Sequence, residues 1–288
     1  MTVIEFGSPA YPERLCDLTN PPDRLFLRAP VDTAQLQMLL APPLVAIVGS
    51  RSASAAGVAF ARRLAGELAA SGVGVISGLA RGIDAGAHEG ALERGGRTVA
   101  VLGCGIDRDY PAATMPLARR ITSEGAVVSE YSPGTPPAPF RFPERNRIVA
   151  ALADATIVIE AAARSGALIT ARLALDLGRD VLAVPGAPWT SGSGGTNGLL
   201  KDGALALTET ADILVALGID PGTARIGDPE VTGPAAKVLA ALRREPVSAD
   251  VLAARCGLTP AGAAALIVQL ELDGIVVREA DGRLVPTR

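Results

Sequence analysis

Residues 44–57 read LVAIVGSRSASAAG, and the prediction of the fold starts from this stretch. The apolar run 44–48 predicts a buried strand, and Gly49, Ser50 and Arg51 predict a tight turn into a helix. A strand, a turn and a helix N-terminus form a common phosphate-binding arrangement. A dinucleotide-binding loop has the pattern G-x-G-x-x-G, whereas here an arginine replaces the second glycine. The turn therefore predicts a phosphate held by backbone N–H groups, the Ser50 hydroxyl and the guanidinium, or else a simple turn with a solvent-facing arginine.

Strands and helices alternate after this stretch. Short apolar runs of this kind suit strands that are buried on both faces of a parallel sheet. Their alternation with helices is typical of a doubly wound α/β domain. The predicted strands are 44–48, 73–77, 98–102, 126–129, 155–159 and 181–184, the predicted helices are 56–71, 84–95, 114–124, 144–153 and 167–178, and a last strand and helix lie in 205–218.

The predicted fold class is α/β, an extended Rossmann-like, doubly wound and mostly parallel sheet followed by a small winged-helix domain. Residues 1–43 are rich in proline and predict an irregular leader that packs on the core. The Rossmann-like domain is expected over 44–218 and a linker over 219–233. Residues 234–288 predict three short helices and a hairpin that turns at Asp281-Gly282, which is the winged-helix order.

Composition excludes several classes of protein. The net charge of −3 is not that of a polycationic nucleic-acid coat, so an anion site must come from local clustering. Cys16, Cys104 and Cys256 are too few and too far apart for a zinc site or a disulfide framework, which favours a reducing compartment. We expect a cytoplasmic protein with no cofactor, no metal and no membrane association.

A second turn of the same kind follows the second predicted strand of the domain, in SGLARGIDAGAH at 77–88. Gly78 allows a close backbone approach, and Arg81 is expected at the same sheet edge as Arg51. Asp84 is predicted to cap the following helix. His88, the single histidine of the chain, is predicted to be structural rather than catalytic.

The segment PFRFPERNRIVAAL at 139–152 combines Arg141, Arg145 and Arg147 with Phe140 and Phe142. Guanidinium groups beside aromatic rings are the components of a single-strand binding site, where bases stack and phosphates pair. The alternative is a helix start with a solvated charged face and core phenylalanines. Because aromatic residues make up only 3% of the chain, we favour the binding interpretation.

Two further turns belong to the same pattern. Ser165 and Gly166 open a helix next to Arg164, and the glycine-rich GSGGTNGLLKDGA at 192–204 carries Lys201. In an open α/β sheet all of these turns lie along the carboxyl edge of the strands. Several anion-binding turns on one edge favour a polyanion over a single nucleotide.

At this point the sequence resembles the DNA-processing protein A (DprA/Smf) family. The resemblance implies a Rossmann-type domain that binds single-stranded DNA without being an enzyme. It further implies that the protein protects incoming DNA and loads RecA recombinase onto it in natural transformation and recombination, and that it forms a homodimer through the Rossmann-like domain. The matching segments are IVGSRSAS, SGLARGIDAGAH, VLGCGIDRDYP, SEYSPGTPPAPFRFPERNRIVAAL, VIEAAARSGALITARLALDLGRDVLAVPG and GTNGLLKDGA.

The resemblance assigns roles to particular residues. Its Gly-Ser-Arg turn implicates Gly49, Ser50 and Arg51 in phosphate binding, and its F-P-x-R-N-R segment implicates Phe142, Arg145, Asn146 and Arg147. One departure weakens the positive charge of the last loop: the family's Gly-Thr-Asn commonly continues with arginine, whereas Gly198 stands here, with Lys201 as the candidate substitute.

The small C-terminal domain has an unusual recognition helix. The predicted third helix, over 259–273, contains no lysine or arginine and carries Glu271 and Asp273. Of the recognition helix and the wing, the two elements that a winged helix presents to DNA, only the wing supplies cations, with Arg278 and Arg283. Because phosphate binding requires cations, this domain is predicted to contact a protein or to add an auxiliary DNA contact.

Two other functions compete with single-strand binding. A nucleotide-processing enzyme similar to phosphoribohydrolases would need P-G-G-x-G-T-x-x-E, but no glutamate follows Pro185-Gly186 at that spacing. Glu160 is the best remaining acid, and a structural role is favoured for it. A winged-helix transcription regulator is disfavoured by the acidic recognition helix.

Overall fold

The structure is a computed structural model that describes residues 1–29, 32–108, 110–221, 234–242, 247–272, 275–278 and 283–286. The chain divides into two compact units, residues 1–226 and 227–288. Most of the predicted linker, residues 222–233, lies outside the described residues.

A nine-stranded sheet forms the centre of the first unit. Its spatial order is β1-β2-β6-β5-β4-β3-β7-β8-β9. Along this spatial order, every neighbouring pair in β6-β5-β4-β3-β7-β8-β9 is parallel, which confirms the mostly parallel α/β sheet. The strands are β1 (Thr2–Glu5), β2 (Arg24–Arg28), β3 (Leu44–Gly49), β4 (Gly74–Ser77), β5 (Thr98–Leu102), β6 (Ala126–Ser129), β7 (Ala155–Ile159), β8 (Asp180–Ala183) and β9 (Leu205–Ala206).

The proline-rich leader was expected to be irregular, and that expectation is wrong. β1 and β2 pair antiparallel, and β2 joins the main sheet antiparallel to β6. A 3-10 helix, Glu13–Asp17, and α1 (Thr33–Leu39) complete this segment. The prolines bound these short elements without interrupting them, and Leu25, Phe26 and Leu27 are buried in the sheet.

Two layers of helices cover the sheet. Val45 and Ile47 of β3 pack toward one layer, and Ala46 and Val48 pack toward the other, because successive side chains of a strand point to opposite faces. The five predicted helices are confirmed within three residues at each end. The first layer contains α2 (Ala55–Ala70), α3 (Ile83–Glu93), α4 (Met115–Glu124) and α8 (Thr210–Ala216), and the second contains α5 (Arg141–Leu152), α6 (Ala167–Asp176) and α7 (Gly194–Lys201).

The strand order reverses between β3 and β7. The chain leaves β3 toward α2 in one layer and leaves β7 toward α6 in the other, so a crevice forms beyond the carboxyl ends of these two strands. The strands approach so closely here that a Cβ on Gly49 would lie 1.9 Å from the carbonyl oxygen of Ile159. Gly49 is therefore required by the packing of the sheet.

The second unit is a winged helix with its own core. It contains α9 (Pro234–Leu242), α10 (Ala249–Cys256), α11 (Pro260–Leu272) and the antiparallel pair β10 (Val276–Arg278) and β11 (Leu284–Pro286). Leu252, Ile267 and Leu284 are buried in that core. The predicted turn at Asp281-Gly282 and the acid Asp273 lie outside the described residues.

No single helix in the described part of the chain is long and apolar enough to cross a membrane. The helices over Ala249–Cys256 and Pro260–Glu271 satisfy that criterion only as a pair, which is bent by 112°.

Candidate functional site

The turns after β3, β4 and β7 are hydrogen-bonded to one another at the carboxyl edge. The Ser50 N–H donates to the Glu160 carbonyl oxygen (2.8 Å), and the Ile83 N–H donates to the Ser50 carbonyl oxygen (3.3 Å). Gly82 has φ +79°, and a Cβ there would lie 2.3 Å from the Ser50 carbonyl oxygen. This network uses the Ser50 N–H internally, and it leaves Arg51 and Arg81 exposed on neighbouring turns.

A pocket of about 220 Å³ opens at this edge. Cationic side chains, two aromatic rings and the backbone after β4 and β5 form its lining, and none of the described lining residues is acidic. The lining consists of Arg51, Gly78, Ala80, Arg81, Leu102, Gly103, Cys104, Tyr110, Pro111, Ala113, Phe142 and Arg145.

Two stacked aromatic rings form one wall of the pocket. The ring centroids of Tyr110 and Phe142 lie 5.6 Å apart with an interplanar angle of 26°. The Arg51 guanidinium lies 4.9 Å from the Phe142 centroid, within the range of a cation–π contact. Sequence reasoning did not single out Tyr110, although it lies in one of the quoted family segments. The structure thus joins the Gly-Ser-Arg turn to the start of α5.

Arg145 is almost completely buried, with 4% of its surface exposed. Its Nη1 donates to the carbonyl oxygen of Gly78 (2.7 Å) and to that of Val101. A Cβ on Gly78 would lie 2.5 Å from Arg145 Nη2, which explains why glycine occupies that position. Burial lowers the pKa of Arg145 to about 10, so the group remains charged at neutral pH. Arg145 ties α5 to the ends of β4 and β5.

Asp84 was predicted to cap α3, and the structure gives it a different role. Its carboxylate accepts from the N–H groups of Gly78 (3.1 Å) and Ala80 (3.3 Å), in the turn that carries Arg81. Burial raises the pKa of Asp84, and the nearby charge of Arg145 opposes that rise. The two buried side chains together hold the β4–α3 turn in place.

Two other arginines of α5, Arg141 and Arg147, differ in how available their guanidinium groups are to a ligand. The Arg141 guanidinium lies 5.4 Å from the Tyr131 ring and 5.1 Å from the Phe140 ring, and it donates to the Pro136 carbonyl oxygen. Arg147 Nη2 lies 2.6 Å from Glu130 Oε2, in a pair whose side chains are only 17% and 14% exposed. The charge of Arg147 is therefore already balanced by a neighbour.

Asn146 lies between α5 and the turn after β7. Its Nδ2 donates to the Gly166 carbonyl oxygen (3.4 Å), and its Oδ1 accepts from Arg145 Nε (3.3 Å). Ser165 Oγ accepts from the Ala167 N–H (3.3 Å) at the start of α6. Asn146, Ser165 and Gly166 thus form a connected group beside the pocket without lining it.

Glu160 occupies the N-terminus of α2. Its carboxylate accepts from the Ser54 N–H (2.8 Å) and from the Ser54 hydroxyl, which is the structural role that the sequence favoured. A Cβ on Gly57 would lie 2.6 Å from that carboxylate, so the helix start is shaped around it. The position where a Rossmann-type helix receives a phosphate is therefore filled by a side chain of the protein.

Lys201 is not brought together with the arginines. α7 begins at the carboxyl edge, where the Gly195 N–H donates to the Ala161 carbonyl oxygen (2.7 Å). Lys201 is the last residue of this helix, about 12 Å along it. His88 is likewise separate: it is fully buried, and its Nδ1 lies 2.7 Å from Thr98 Oγ1.

In the part of the chain that the structure describes, no group of three or more His, Cys, Asp or Glu side chains is placed to hold a metal ion.

Family models match both units of the chain. Residues 2–218 match the model of DNA recombination-mediator protein A, and residues 223–282 match that of the DprA winged helix domain. The chain is 36% identical over 290 residues to Protein Smf of Escherichia coli (strain K12), covering 97% of this chain and 76% of that protein. It is 42% identical over 204 residues to DNA processing protein DprA of Streptococcus pneumoniae (strain ATCC BAA-255 / R6), covering 71% and 70%.

Two solved structures of DNA processing protein A are also similar to this chain. The X-ray structure of DNA processing protein A from Streptococcus pneumoniae superposes with a TM-score of 0.69 at 39% identity, covering 74% of this chain and 73% of that one. A structure that reports the single-stranded DNA binding mode of DNA processing protein A from Helicobacter pylori superposes with a TM-score of 0.67 at 31% identity, covering 75% and 94%.

Proposed function

The chain belongs to the DNA recombination-mediator protein A family, and from this premise we propose that it binds single-stranded DNA along the carboxyl edge of its sheet. The observation that carries the proposal is the contact of Arg51 with the Phe142 ring, which is itself stacked on Tyr110. A base can stack on such an aromatic surface while guanidinium groups pair with the phosphates beside it. The Helicobacter pylori relative, described by its single-stranded DNA binding mode, supports the same ligand.

The residues proposed to meet the strand fall into two groups. Arg51 and Arg81 are exposed at the pocket, and Arg141 is partly exposed at the start of α5, so these three are the proposed phosphate contacts. The stacked pair of Phe142 and Tyr110 is the proposed stacking surface, and Tyr110 is the more exposed of the two rings. The remaining candidates, Gly49, Ser50, Gly78, Arg145, Asn146, Arg147, Ser165 and Gly166, are proposed to shape the binding edge rather than to supply its charge.

A strand is a better ligand than a mononucleotide for this edge. The Glu160 carboxylate fills the N-terminus of α2, where a bound nucleotide would place its phosphate. The exposed cations lie instead on separate turns, after β3 and after β4, and on α5. Such a distribution suits a polymer whose successive phosphates are contacted one after another.

The cellular role that we propose follows from the family. The protein protects incoming single-stranded DNA and delivers it to RecA recombinase in natural transformation and recombination, and it acts as a homodimer through its Rossmann-like unit. The family's description as a recombination mediator supports this role. The proposed activity is binding, not catalysis. The alternative of a phosphoribohydrolase-like enzyme would rely on Glu160, whose carboxylate accepts two hydrogen bonds from Ser54.

The proposal is tested by replacing Arg51. Arg51→Ala is expected to weaken binding of a fluorescently labelled oligo(dT) roughly tenfold or more. The plot of the logarithm of the binding constant against the logarithm of salt concentration should become less steep by about 0.7, because one phosphate contact is lost. Fluorescence anisotropy at two salt concentrations, with duplex and mononucleotide competitors, measures both quantities.

Arg120→Ala is the matched control for this experiment. It removes the same charge from α4, where Arg120 is paired with Glu124. Glu124 is the last residue of the helix and precedes β6, so the pair lies toward the amino edge of the sheet, opposite the carboxyl edge. The affinity of this variant for oligo(dT) is expected to equal that of the unmodified protein. Unchanged affinity in Arg51→Ala, or equal competition by a mononucleotide, would contradict the proposal.

A further inference from the structure

Trp189 lies on the loop after β8 with 87% of its surface exposed. It is the only tryptophan of the chain. We infer that Trp189 is a second base-stacking site for the same single strand, on the other side of the β3–β7 crevice from Phe142. This inference rests on the proposed function and adds to it a contact that the sequence motifs did not reveal.

The loop holds Trp189 in a defined turn. The Thr190 N–H donates to the Ala187 carbonyl oxygen (2.9 Å), which closes a four-residue turn with Pro188 and Trp189 at its centre. Proline fixes one of the two central φ angles of this turn. The Ser193 N–H donates in turn to the Thr190 carbonyl oxygen (3.0 Å).

The base of the loop is also fixed. The Gly186 N–H donates to Asn197 Oδ1 (3.1 Å), and Asn197 Nδ2 donates back to the Gly186 carbonyl oxygen (2.8 Å). A Cβ on Gly186 would lie 2.0 Å from Ser193 Oγ, so the two ends of the loop are in contact. A large aromatic ring on a preorganised turn loses little conformational entropy when it binds, which favours a role in recognition.

Trp189 and the pocket belong to one continuous edge. The pocket lies beyond the carboxyl ends of β4 and β5, and the Trp189 loop follows the carboxyl end of β8. In the strand order β5-β4-β3-β7-β8, four strand spacings separate β5 from β8. The carboxyl ends of β5 and β8 are therefore about 19 Å apart. A bound strand of several nucleotides covers that span, since single-strand sites commonly extend over roughly 4–16 nucleotides.

The chemistry of the loop between β8 and α7 favours a base over a phosphate, because residues 184–198 contain no lysine or arginine. The N-terminus of α2 already holds the Glu160 carboxylate, Gly198 supplies no charge, and Lys201 lies at the far end of α7. Stacking on an indole needs no cation, and it accepts any base because every base has a π-face. Arg164 is an exposed cation on the turn after β7, and Trp189 supplies on the neighbouring loop a base-stacking contact that a cation does not supply.

Intrinsic fluorescence tests this inference directly, because the only indole in the chain is the one in question. Titration of the full-length protein with oligo(dT) is expected to quench Trp189 emission, with saturation at the concentration where the anisotropy of labelled oligo(dT) also saturates. Trp189→Ala is expected to weaken binding roughly tenfold while leaving the salt slope unchanged, because a stacking contact releases no counterions. Trp189→Phe is expected to restore most of the affinity.

Val215→Ala is the matched control, since Val215 is also an exposed apolar side chain, 64% accessible, on α8. It is expected to leave affinity unchanged. Three outcomes overturn the inference: unchanged emission on binding, unchanged affinity in Trp189→Ala, or an emission shift that depends on protein concentration without DNA, which would assign Trp189 to a contact between copies of the chain. In each case the anisotropy of the unmodified protein reports separately whether single-stranded DNA binds at all.

Discussion

Arg145 carries a guanidinium charge into the interior, where it meets two backbone carbonyl oxygens and the neighbouring charge of Asp84. A buried charge that loses its partner is strongly destabilising, because the remaining group stays desolvated. Arg51, in contrast, projects from an exposed turn. Two arginines that look equivalent in the sequence therefore have different roles: Arg145 supports the fold, whereas Arg51 is exposed where a ligand can reach it.

Replacing Arg145 is expected to change stability as well as binding. Arg145→Met should lower the free energy of unfolding by about 3 kcal/mol, because Asp84 and the carbonyl oxygens of Gly78 and Val101 lose their buried partner. Urea denaturation measures this value. Arg81→Ala is the control on the adjacent turn and is expected to stay within about 0.5 kcal/mol of the unmodified protein. Equal stability of the two variants would show that Arg145 is not a structural residue.

His88 makes stability depend on pH. Burial lowers the pKa of His88 to about 3, against 6.5 in the unfolded chain, so the unfolded state binds the proton first as pH falls. This contribution is complete above pH 6.5 and is lost progressively between pH 6.5 and 3. The neutral ring is favoured because Nε2 has no hydrogen-bond partner among the described residues.

The expected loss from His88 between pH 7 and pH 5 is about 2 kcal/mol. His88→Gln cannot titrate, so its free energy of unfolding should fall less than that of the unmodified protein by this amount over the same interval. Other titrating groups, including Asp84, are common to both proteins and cancel in the difference. Urea denaturation at the two pH values provides the measurement, and parallel curves would contradict the assignment.

At the scale of elements, the closest packing is between α2 and α3. A Cβ on Gly90 would lie 1.9 Å from the Arg62 carbonyl oxygen, and one on Gly86 would lie 2.9 Å from the Val58 carbonyl oxygen. Two helix backbones can meet at such distances only where glycine removes the side chain. The turns that bear Arg51 and Arg81 lead directly into these two helices. The contact between α2 and α3 therefore sets the spacing of the two arginines.

Alanine substitutions at two helical glycines are expected to change the free energy of unfolding in opposite directions. Gly90→Ala should reduce stability by roughly 1–3 kcal/mol, because the added methyl group overlaps backbone that cannot move freely. Gly198→Ala in α7 has no neighbour within 4 Å and no positive φ, so it should stabilise by up to about 1 kcal/mol through helix propensity alone. Thermal and urea denaturation of both variants give the comparison, and a stabilising Gly90→Ala would contradict the close contact.

At the scale of the whole molecule, the two units have separate hydrophobic cores. The sheet and its helices enclose one set of buried residues, and the winged helix encloses another around Leu252 and Ile267. The carboxyl edge and its exposed arginines belong entirely to the first unit. The third helix of the second unit contains Glu271 and no lysine or arginine.

A chain that ends at residue 226 is therefore expected to fold and to keep its affinity for oligo(dT) within about twofold, because the proposed phosphate contacts remain and the recognition helix that is removed contains no lysine or arginine. Anisotropy compares this chain with the full-length protein under the same salt conditions. A large loss of affinity in a folded 1–226 chain would assign a direct DNA contact to the winged helix. Interaction with a protein partner is the role expected for the removed unit.

Most of the fold was predictable from sequence because its signals are local. Continuous apolar runs of four or five residues identified β3 through β8, and helical patterns between them identified α2 through α6. The exception was the leader, where β1 and β2 are short and lie among prolines, so that only pairing with β6 reveals them as strands. The parallel alternation also predicted correctly that the glycine-rich turns lie on one edge.

The α/β class, the winged helix, the family and the turns that bear the candidate arginines were all predictable from local sequence patterns and motifs. The tertiary structure decided which of these side chains remain free to meet a ligand. Arg147 is neutralised by Glu130, the α2 N-terminus is filled by Glu160 from 106 residues away, and the loop that bears the exposed Trp189 is closed at its base by Asn197. The physical reason is that a residue's secondary structure depends on its neighbours in sequence, whereas its availability depends on partners that only the folded chain brings into contact.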